Sequence, residues 1–496
     1  MTDPFPILSL LIFLPLLGGL ILLPLHGRPV LARWLALAIV GVEFVLVALV
    51  TLQTPEQGTG SLPGGFFLME NRAWIPQFGI RYLLGIDGIS LLMTGLTAVV
   101  TPLAMLVSWR AIRERAALHF ALLLILEGAL MGVFLSLDLI LFYLFWELML
   151  LPVFLIILIW GSGRPVYSAL KFFIITIAGS LLMLLAIIGL HLVHAGQTGV
   201  ATFALPELLA AKAPTTTGIW LFAAFLLAFA IKIPLFPLHT WLPDAYADAP
   251  AAGTIMLSAV LSKTGAYALI RFGFPLFPDA ARAVAPLLLV VAVISIIYAA
   301  WLACAQTDLK RLFGYASISH MGFVALGIAV WRPVALSGSV LQMVNHGVIS
   351  AALFALAGMM EERTGSREIP TFGGIWGRAP LFSVLFLLFV LTAASLPGFN
   401  IFVGEFLILT GAFRVTHVAV VIAFLGAIIP LIYTVRIVQE ILFGEPRDAG
   451  GFPDLGFREG IVLGLLLMLD IWLGIHPAPL LDLIKGPVAL LVGVTP

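Results

Sequence analysis

Six ionisable side chains lie deep inside long apolar segments of this sequence. A charge at the centre of a bilayer costs roughly 2 to more than 10 kcal/mol, so residues of this kind usually face the interior of a helix bundle and carry function. The six residues are Glu147, Lys232, Lys263, His320, His346 and Glu405.

The residue types fit the movement of protons. A carboxylate and an ammonium stabilise each other's charged forms, while removal from water favours the neutral form of each group. Lys232 can therefore hold a proton beside an ionised Glu147 and release the proton when that pairing weakens. Histidine can connect such steps because its ordinary pKa is close to neutral. The set predicts a proton-translocation site.

A single buried Glu or His often does no more than satisfy an interhelical hydrogen bond. Six such residues at one depth on different helices favour a shared function instead. The secondary candidates are weaker, because Glu127 has no partner visible from its spacing and Asp138 lies at a helix start. His239 and Asp244 lie in a proline-rich connection, where proton transfer and loop shaping both stay open.

Composition places these residues in a membrane protein. Of the 496 residues 62% are hydrophobic and only 10% are charged, and mean hydropathy is +1.16. A soluble domain is usually about a quarter charged. The net charge of zero gives no sign of a nucleic-acid partner. Cys304 is the only cysteine, too few for an iron–sulfur cluster, and no glycine-rich phosphate loop follows a strand. We expect no cofactor in this chain.

The apolar stretches have the length that a membrane-spanning helix needs. We therefore predict an all-α polytopic membrane protein with about fourteen transmembrane helices. The predicted helices lie at about 6–25, 31–51, 84–109, 117–136, 138–160, 168–194, 218–242, 249–272, 283–303, 308–331, 335–360, 380–413, 418–443 and 458–476.

Two of these helices are interrupted in a similar way. Helix seven contains Pro234 and Pro237, and helix twelve contains Pro397 and Gly398. Proline removes a backbone donor and clashes with the preceding turn, so each helix should break there. Breaks five helices apart predict two five-helix repeats, helices 4–8 and 9–13, and paired breaks indicate a transport site. The predicted segments are 1–116 with an extramembrane loop at 52–83, then 117–272, 283–443 and 458–496.

The loops predict an orientation. Lys and Arg are more frequent in the loops after odd-numbered helices than in the other loops and the C-terminal tail. By the positive-inside rule both termini lie on the non-cytoplasmic side of a bacterial inner membrane.

At these residues the chain resembles the antiporter-like subunits that complex I shares with Mrp-type sodium/proton antiporters and membrane-bound hydrogenases. The resemblance implies a Glu–Lys pair, a central lysine and a last ionisable group on the broken helix twelve. The matching stretches are residues 145–148, 232–245, 263–267, 306–322 and 396–406.

At the last ionisable position the chain resembles the M-type subunits of respiratory complex I, NADH:quinone oxidoreductase. Glu405 stands where the L-, N- and antiporter D-type chains place lysine, and the chain lacks the long lateral helix of the L-type. The resemblance implies neighbours of L-type and N-type, lipid contacts, and pumping driven by quinone reduction in other subunits. Phe399 and Asn400 depart from the small residues that the family pattern implies after Gly398.

Two alternatives stay open. One is a subunit of a Mrp-type cation/proton antiporter without a redox partner. The other is the M-type subunit of a complex I-like hydrogenase or ferredoxin-dependent complex. The subunits that copurify with the chain discriminate among the three.

Overall fold

The computed structural model describes residues 6–210, 214–447 and 451–493. The outer ends of the predicted segments 1–116 and 458–496 therefore lie outside the described residues. Within the described ranges the chain is mostly α-helical and rich in apolar helices of membrane-spanning length, which confirms the predicted polytopic all-α class.

Twelve helices of the described part are long and apolar enough to cross a membrane. A span needs roughly 20 residues at 1.5 Å per residue. We number the helices in chain order and keep α12 for a broken helix. The twelve are α1 (Ile7–Leu25), α2 (Pro29–Leu52), α3 (Gly88–Ala111), α4 (Ala116–Leu135), α5 (Leu139–Trp160), α6 (Pro165–Thr198), α7 (Thr215–Lys232), α8 (Ala251–Leu276), α9 (Pro278–Cys304), α10 (Leu309–Val330), α11 (Pro333–Thr364) and α13 (His417–Leu442).

Three further elements lie near the C-terminus, of which the last was not predicted. α12 consists of two halves, Pro380–Ala393 and Asn400–Phe413, separated by the predicted break. α14 (Phe457–Ile475) is followed by α15 (Ala478–Val492), and the two are bent by 66° relative to each other. The count of fourteen spans and the two five-helix repeats remain predictions.

The break in α7 lies where the prolines predict it. The helix ends at Lys232, shortly before Pro234, and the chain continues into the short helix Leu242–Asp248. The end of a helix leaves carbonyl groups without partners. The indole N–H of Trp241 donates to one of them, the carbonyl of Ile231, at 3.0 Å. The irregular segment therefore satisfies the end of the helix that it interrupts.

α8 contains two π-helical turns that the sequence did not predict, Leu257–Leu261 and Leu269–Gly273. Such turns are rare inside α-helices and are frequent at functional sites. Lys263 follows the first of them by two residues. The extra residue of the turn changes the direction in which Lys263 leaves the helix.

The predicted extramembrane loop 52–83 contains the first strand and most of the second strand of a β-hairpin, which the sequence analysis did not predict. β1 (Leu68–Ile75) and β2 (Ile80–Ile86) pair antiparallel, with Leu68 opposite Ile86. The carbonyl of Leu83 accepts the backbone N–H of Leu137 at 2.9 Å, which attaches the hairpin to the connection between α4 and α5.

The centre of the bundle consists of α8, α10 and α11. α8 and α11 are buried along their whole apolar stretch and α10 almost so, whereas α2 exposes most of its surface. Gln342, Asn345, His346 and Ser350 recur at i, i+3, i+4 and i+8 on α11 and form a polar stripe that is fully buried. The central helices therefore carry the polar residues that lipid would exclude.

Candidate functional site

Lys232 lies at the C-terminal end of α7, directly before the break. Its side chain is 1% exposed, and Nζ lies 5.5 Å from the ring centre of Trp146 and 5.4 Å from that of Phe172. An ammonium over an aromatic face is attracted by the ring, and the attraction is largest when water is excluded. The aromatic residues therefore provide a place for the charged form of a buried lysine.

Glu147 on α5 is the predicted partner of Lys232. The carboxylate is half-buried beside Tyr143 and Ser180, and its charge acts on Lys232 through space. Nζ of Lys232 makes no hydrogen bond to a protein atom within the described ranges, so the two do not form a direct salt bridge. Their coupling is electrostatic and changes with small displacements of α5 against α7.

Lys263 is fully buried at the centre of α8. Its ammonium reaches the carbonyl of Ser258, the hydroxyl of Ser262 at 3.2 Å and Nδ1 of His346 at 2.6 Å. An ammonium has three N–H donors, and these three acceptors match them. Ser258 lies in the π-helical turn Leu257–Leu261, and Ser262 directly precedes Lys263.

His320 on α10 connects the histidine of α11 to the carboxylate of α12. Nδ1 of His320 lies 2.9 Å from Oε1 of Glu405, and the rings of His320 and His346 have their centres 5.7 Å apart. Oε2 of Glu405 accepts the hydroxyl of Ser395 at 2.7 Å. The structure thus places Lys263, His346, His320 and Glu405 in one row, which we call the central row.

Ser395 was not predicted as a site residue. It lies in the break of α12 with φ at +57°, a left-handed conformation that a residue with a side chain seldom adopts. Strained backbone of this kind often occurs at functional sites. Its position directly before Leu396-Pro397-Gly398 indicated that it lies at the helix break. Its contact with Glu405 depends on the fold and could not be predicted from the sequence.

α7 and α8 make a close backbone contact between the Glu147–Lys232 pair and the central row. A Cβ atom added to Gly265 on α8 would lie 2.6 Å from the carbonyl oxygen of Phe229 and 2.8 Å from Cβ of Lys232. Only glycine permits this approach. The contact fixes Lys232 against the helix that carries Lys263.

Gly265→Ala should therefore separate the two helices and weaken both stability and pumping. Overpacking a tight contact costs about 1–3 kcal/mol. Thermal stability and proton pumping of the assembled complex are the measurements. Gly464→Ala on α14, where an added Cβ meets no atom within 4 Å, is the control and should behave like the parent. A Gly265→Ala variant with parental stability and pumping would contradict this role.

Two secondary candidates lie at helix ends. Asp138 begins α5, where its carboxylate accepts the backbone N–H groups of Ile140 at 2.9 Å and Arg81 at 3.0 Å. A carboxylate in this position caps a helix. Its part in proton transfer remains a prediction.

Asp244 and His239 follow the break in α7. Asp244 is hydrogen-bonded to Lys171 at 2.7 Å and to Arg311 at 2.8 Å. His239 is buried close to the ring of Tyr298, and the charge of Lys171 acts on it. The polar groups therefore continue from Lys232 toward the start of α6 and α10.

Glu127, the last secondary candidate, is fully buried on α4. Glu43 on α2, equally buried, is its electrostatic neighbour, and Thr101 on α3 lies beside it. These residues lie on α2, α3 and α4, which carry no member of the central row. Their contact could not be predicted from spacing within one helix.

Comparison with known proteins agrees with this geometry. The profile of a family described as NADH:quinone oxidoreductase/Mrp antiporter, transmembrane, matches residues 136–429. The chain is also 42% identical to NADH-quinone oxidoreductase subunit M of Pseudomonas aeruginosa over 96% of both chains. The chain belongs to the family of these M subunits.

Solved structures agree with the membership. A chain of respiratory complex I from Thermus thermophilus superposes with a TM-score of 0.87 at 33% identity, covering 98% of this chain and 99% of that chain. A chain of the Mrp complex from Dietzia superposes with a TM-score of 0.85 at 23% identity, over 98% and 97% of the two chains, and shows the fold alone. As a member of the M-subunit family, the chain works together with other membrane-arm subunits.

Proposed function

We propose that this chain is the M-type proton-translocating subunit of NADH:quinone oxidoreductase, in which quinone reduction in other subunits drives proton transfer through the buried Glu, Lys and His residues. The observation that carries the proposal is the central row, in which ionisable groups of four helices follow one another at bonding or ring-contact distances. A helix bundle without transport has no need of such a row, because each buried charge is costly.

The transfer steps follow from the contacts. Lys263 donates a proton to Nδ1 of His346, and the ring can release a proton from its other nitrogen, because an imidazole carries two exchangeable positions. His320 receives the proton and passes it to Glu405 through its Nδ1 contact. Ser395 stabilises the ionised carboxylate by donating its hydroxyl to Oε2.

Glu147 on α5 and Lys232 on α7 lie beside the central row, and the state of Glu147 determines whether Lys232 keeps its proton. While Glu147 is ionised and near, Lys232 retains its proton over the aromatic rings. When the carboxylate is neutralised or moves away, the buried ammonium loses its stabilising charge and gives up the proton. His239, Asp244, Glu127 and Asp138 remain secondary candidates for proton transfer.

The proposal includes location and partners. The chain lies in the bacterial inner membrane between L-type and N-type neighbours with both termini on the non-cytoplasmic side, as the distribution of Lys and Arg supports. Quinone and the redox cofactors belong to other subunits, in keeping with the single cysteine of this chain. Copurification of NADH-oxidising subunits is expected, whereas a preparation that holds only antiporter subunits would contradict this assignment.

Glu405→Gln tests the end of the row. Glutamine keeps the shape and can still bond to Ser395 and His320, but it cannot take up and release a proton. The complex should assemble and pump poorly, while Glu405→Lys, which copies the sister subunits, should retain part of the activity. The measurement is proton pumping in membrane vesicles, normalised to assembled complex. Normal pumping with Gln at 405 would mean that protons leave by another route.

A further inference from the structure

Each half of α12 begins with backbone N–H groups that donate to a carboxylate. One carboxylate belongs to Asp454 in the loop before α14, and the other belongs to Asp470 on α14. The first half begins with the backbone N–H groups of Leu381 and Phe382, which donate to Asp454 at 3.0 and 2.8 Å. Although burial by itself raises the pKa of Asp454, these hydrogen bonds outweigh it and leave the pKa below its usual value. The start of the second half has no side-chain cap from its own N-cap residue, Phe399.

Asp470 on α14 supplies the cap for that second half. Its side chain is fully buried, and Oδ1 accepts the backbone N–H of Asn400 at 3.2 Å while Oδ2 accepts the hydroxyl of Thr392 at 2.6 Å. Thr392 belongs to the last turn of the first half and Asn400 begins the second half. One carboxylate therefore spans the break. A negative charge at a helix N-terminus is also favoured by the helix dipole.

The surface of α14 around Asp470 fits the break closely. Gly474, four residues later on the same face, lies against the backbone of Gly398 and Phe399, and a Cβ added there would be 2.6 Å from the carbonyl carbon of Phe399. Residues four apart on a helix are neighbours on its surface. Asp470 and Gly474 together fix the position of the irregular segment.

Asn400, the first residue of the second half, connects Asp470 to the helices of the central row. Asn400 exchanges hydrogen bonds with Asn345 on α11, at 2.6 and 3.3 Å between side-chain amide and backbone carbonyl. Asn345 precedes His346, and Glu405 follows Asn400 by five residues, about 7.5 Å along the helix. A displacement at Asn400 therefore moves Glu405 relative to His320.

We propose that Asp470 is a positioning residue for proton transfer, which spans the break of α12 and holds the second half so that Glu405 meets His320. This inference rests on the proposed function of the central row. It assigns a role to α14, a helix that contributes no member of the row. The carboxylate of Asp470 positions the backbone and does not carry protons itself, because both of its oxygens accept hydrogen bonds inside the bundle.

The test compares Asp470→Ala, Asp470→Asn and Thr392→Val. Asp470→Ala should assemble and lower the proton-to-electron ratio of the assembled complex severalfold. Asp470→Asn keeps one acceptor oxygen and should retain more of the ratio. Thr392→Val, which removes one bond and leaves the carboxylate, should cause a smaller loss in the same direction. If the Ala variant does not assemble, the Asn and Thr392→Val variants decide the outcome by the same ratio.

Two controls separate positioning from general destabilisation. Asp454→Asn weakens a cap of the same type at the other half of α12, again leaving one acceptor oxygen, and should lower the amount of complex at most, without changing its proton-to-electron ratio. Ser383→Ala removes a buried hydroxyl of the first half, whose hydrogen bond within the described residues is to the carbonyl of Ala379 directly before that half, and should change neither the amount of complex nor its ratio. Parental ratios in Asp470→Asn and Thr392→Val would overturn the proposal.

The double variant Asp470→Ala/Glu405→Gln distinguishes this inference from the proposed function. If Asp470 acts through Glu405, the double variant should lose no more than Glu405→Gln alone, because residues that act as a unit are not additive. If Glu405→Gln is impaired while the Asp470 variants pump normally, only the positioning role fails. If Glu405→Gln pumps normally, the proposed function of the row fails.

Discussion

Replacing Lys263 by alanine is expected to lower coupled proton pumping by roughly tenfold or more, because a positioned proton-transfer group contributes at least that factor. Lys263 is the only member of the central row on α8, and it bonds directly to His346 at 2.6 Å. Its loss removes the first proton donor of the row. The measurement is pumping and NADH-driven quinone reduction in vesicles, normalised to assembled complex.

Two matched variants test whether the proton or the shape of Lys263 is required. Lys263→Met keeps most of the length of the side chain but carries no transferable proton, and it should be as impaired as alanine. Lys263→Arg keeps a charge but does not readily release its proton, so it should also pump poorly, with better retention of structure than alanine. If all three variants equal the parent, Lys263 has only a structural role.

Glu147→Ala is expected to leave assembly largely intact and to reduce pumping and coupled quinone reduction strongly. The carboxylate acts on Lys232 through space and is half-buried, so its removal costs little packing but takes away the charge that holds the lysine proton. Glu147→Asp keeps the charge on a shorter side chain and should retain part of the activity.

The proton-to-electron ratio decides this second prediction. An assembled Glu147→Ala complex with the parental ratio would show that Lys232 needs no partner on α5. Equal loss in Glu147→Asp and Glu147→Ala would show that distance matters as much as charge, since a Coulomb interaction weakens with separation.

Much of the fold could be predicted because membrane spans depend on local composition. A run of about 20 apolar residues has few alternatives to a spanning helix, since backbone groups in lipid must be satisfied within the segment. The breaks in α7 and α12 were predictable for the same reason, because Pro234 and Pro397 remove donors at fixed positions. The sequence predicted only an extramembrane loop where the hairpin Leu68–Ile86 lies, because the pairing of the strands depends on attachment to the α4–α5 connection.

The residues of the candidate site could be proposed from the sequence, whereas their contacts could not. Depth along a helix identified Lys263, His346, His320 and Glu405, since a buried charge is costly wherever it faces. Which of them touch depends on how the helices cross, and spacing within one helix holds no such information. The contacts of Asp470 across the break of α12 could not be predicted from the sequence either, because they also depend on how the helices pack.

The most direct test of the account is the proton-to-electron ratio of the purified, reconstituted complex carrying Lys263→Ala, Glu405→Gln or both. If one route passes through the central row, each single variant should lower the ratio, and the double variant should lower it no further than the more severe single variant. A parental ratio in either single variant, or losses that accumulate independently in the double variant, would contradict a single route through these residues.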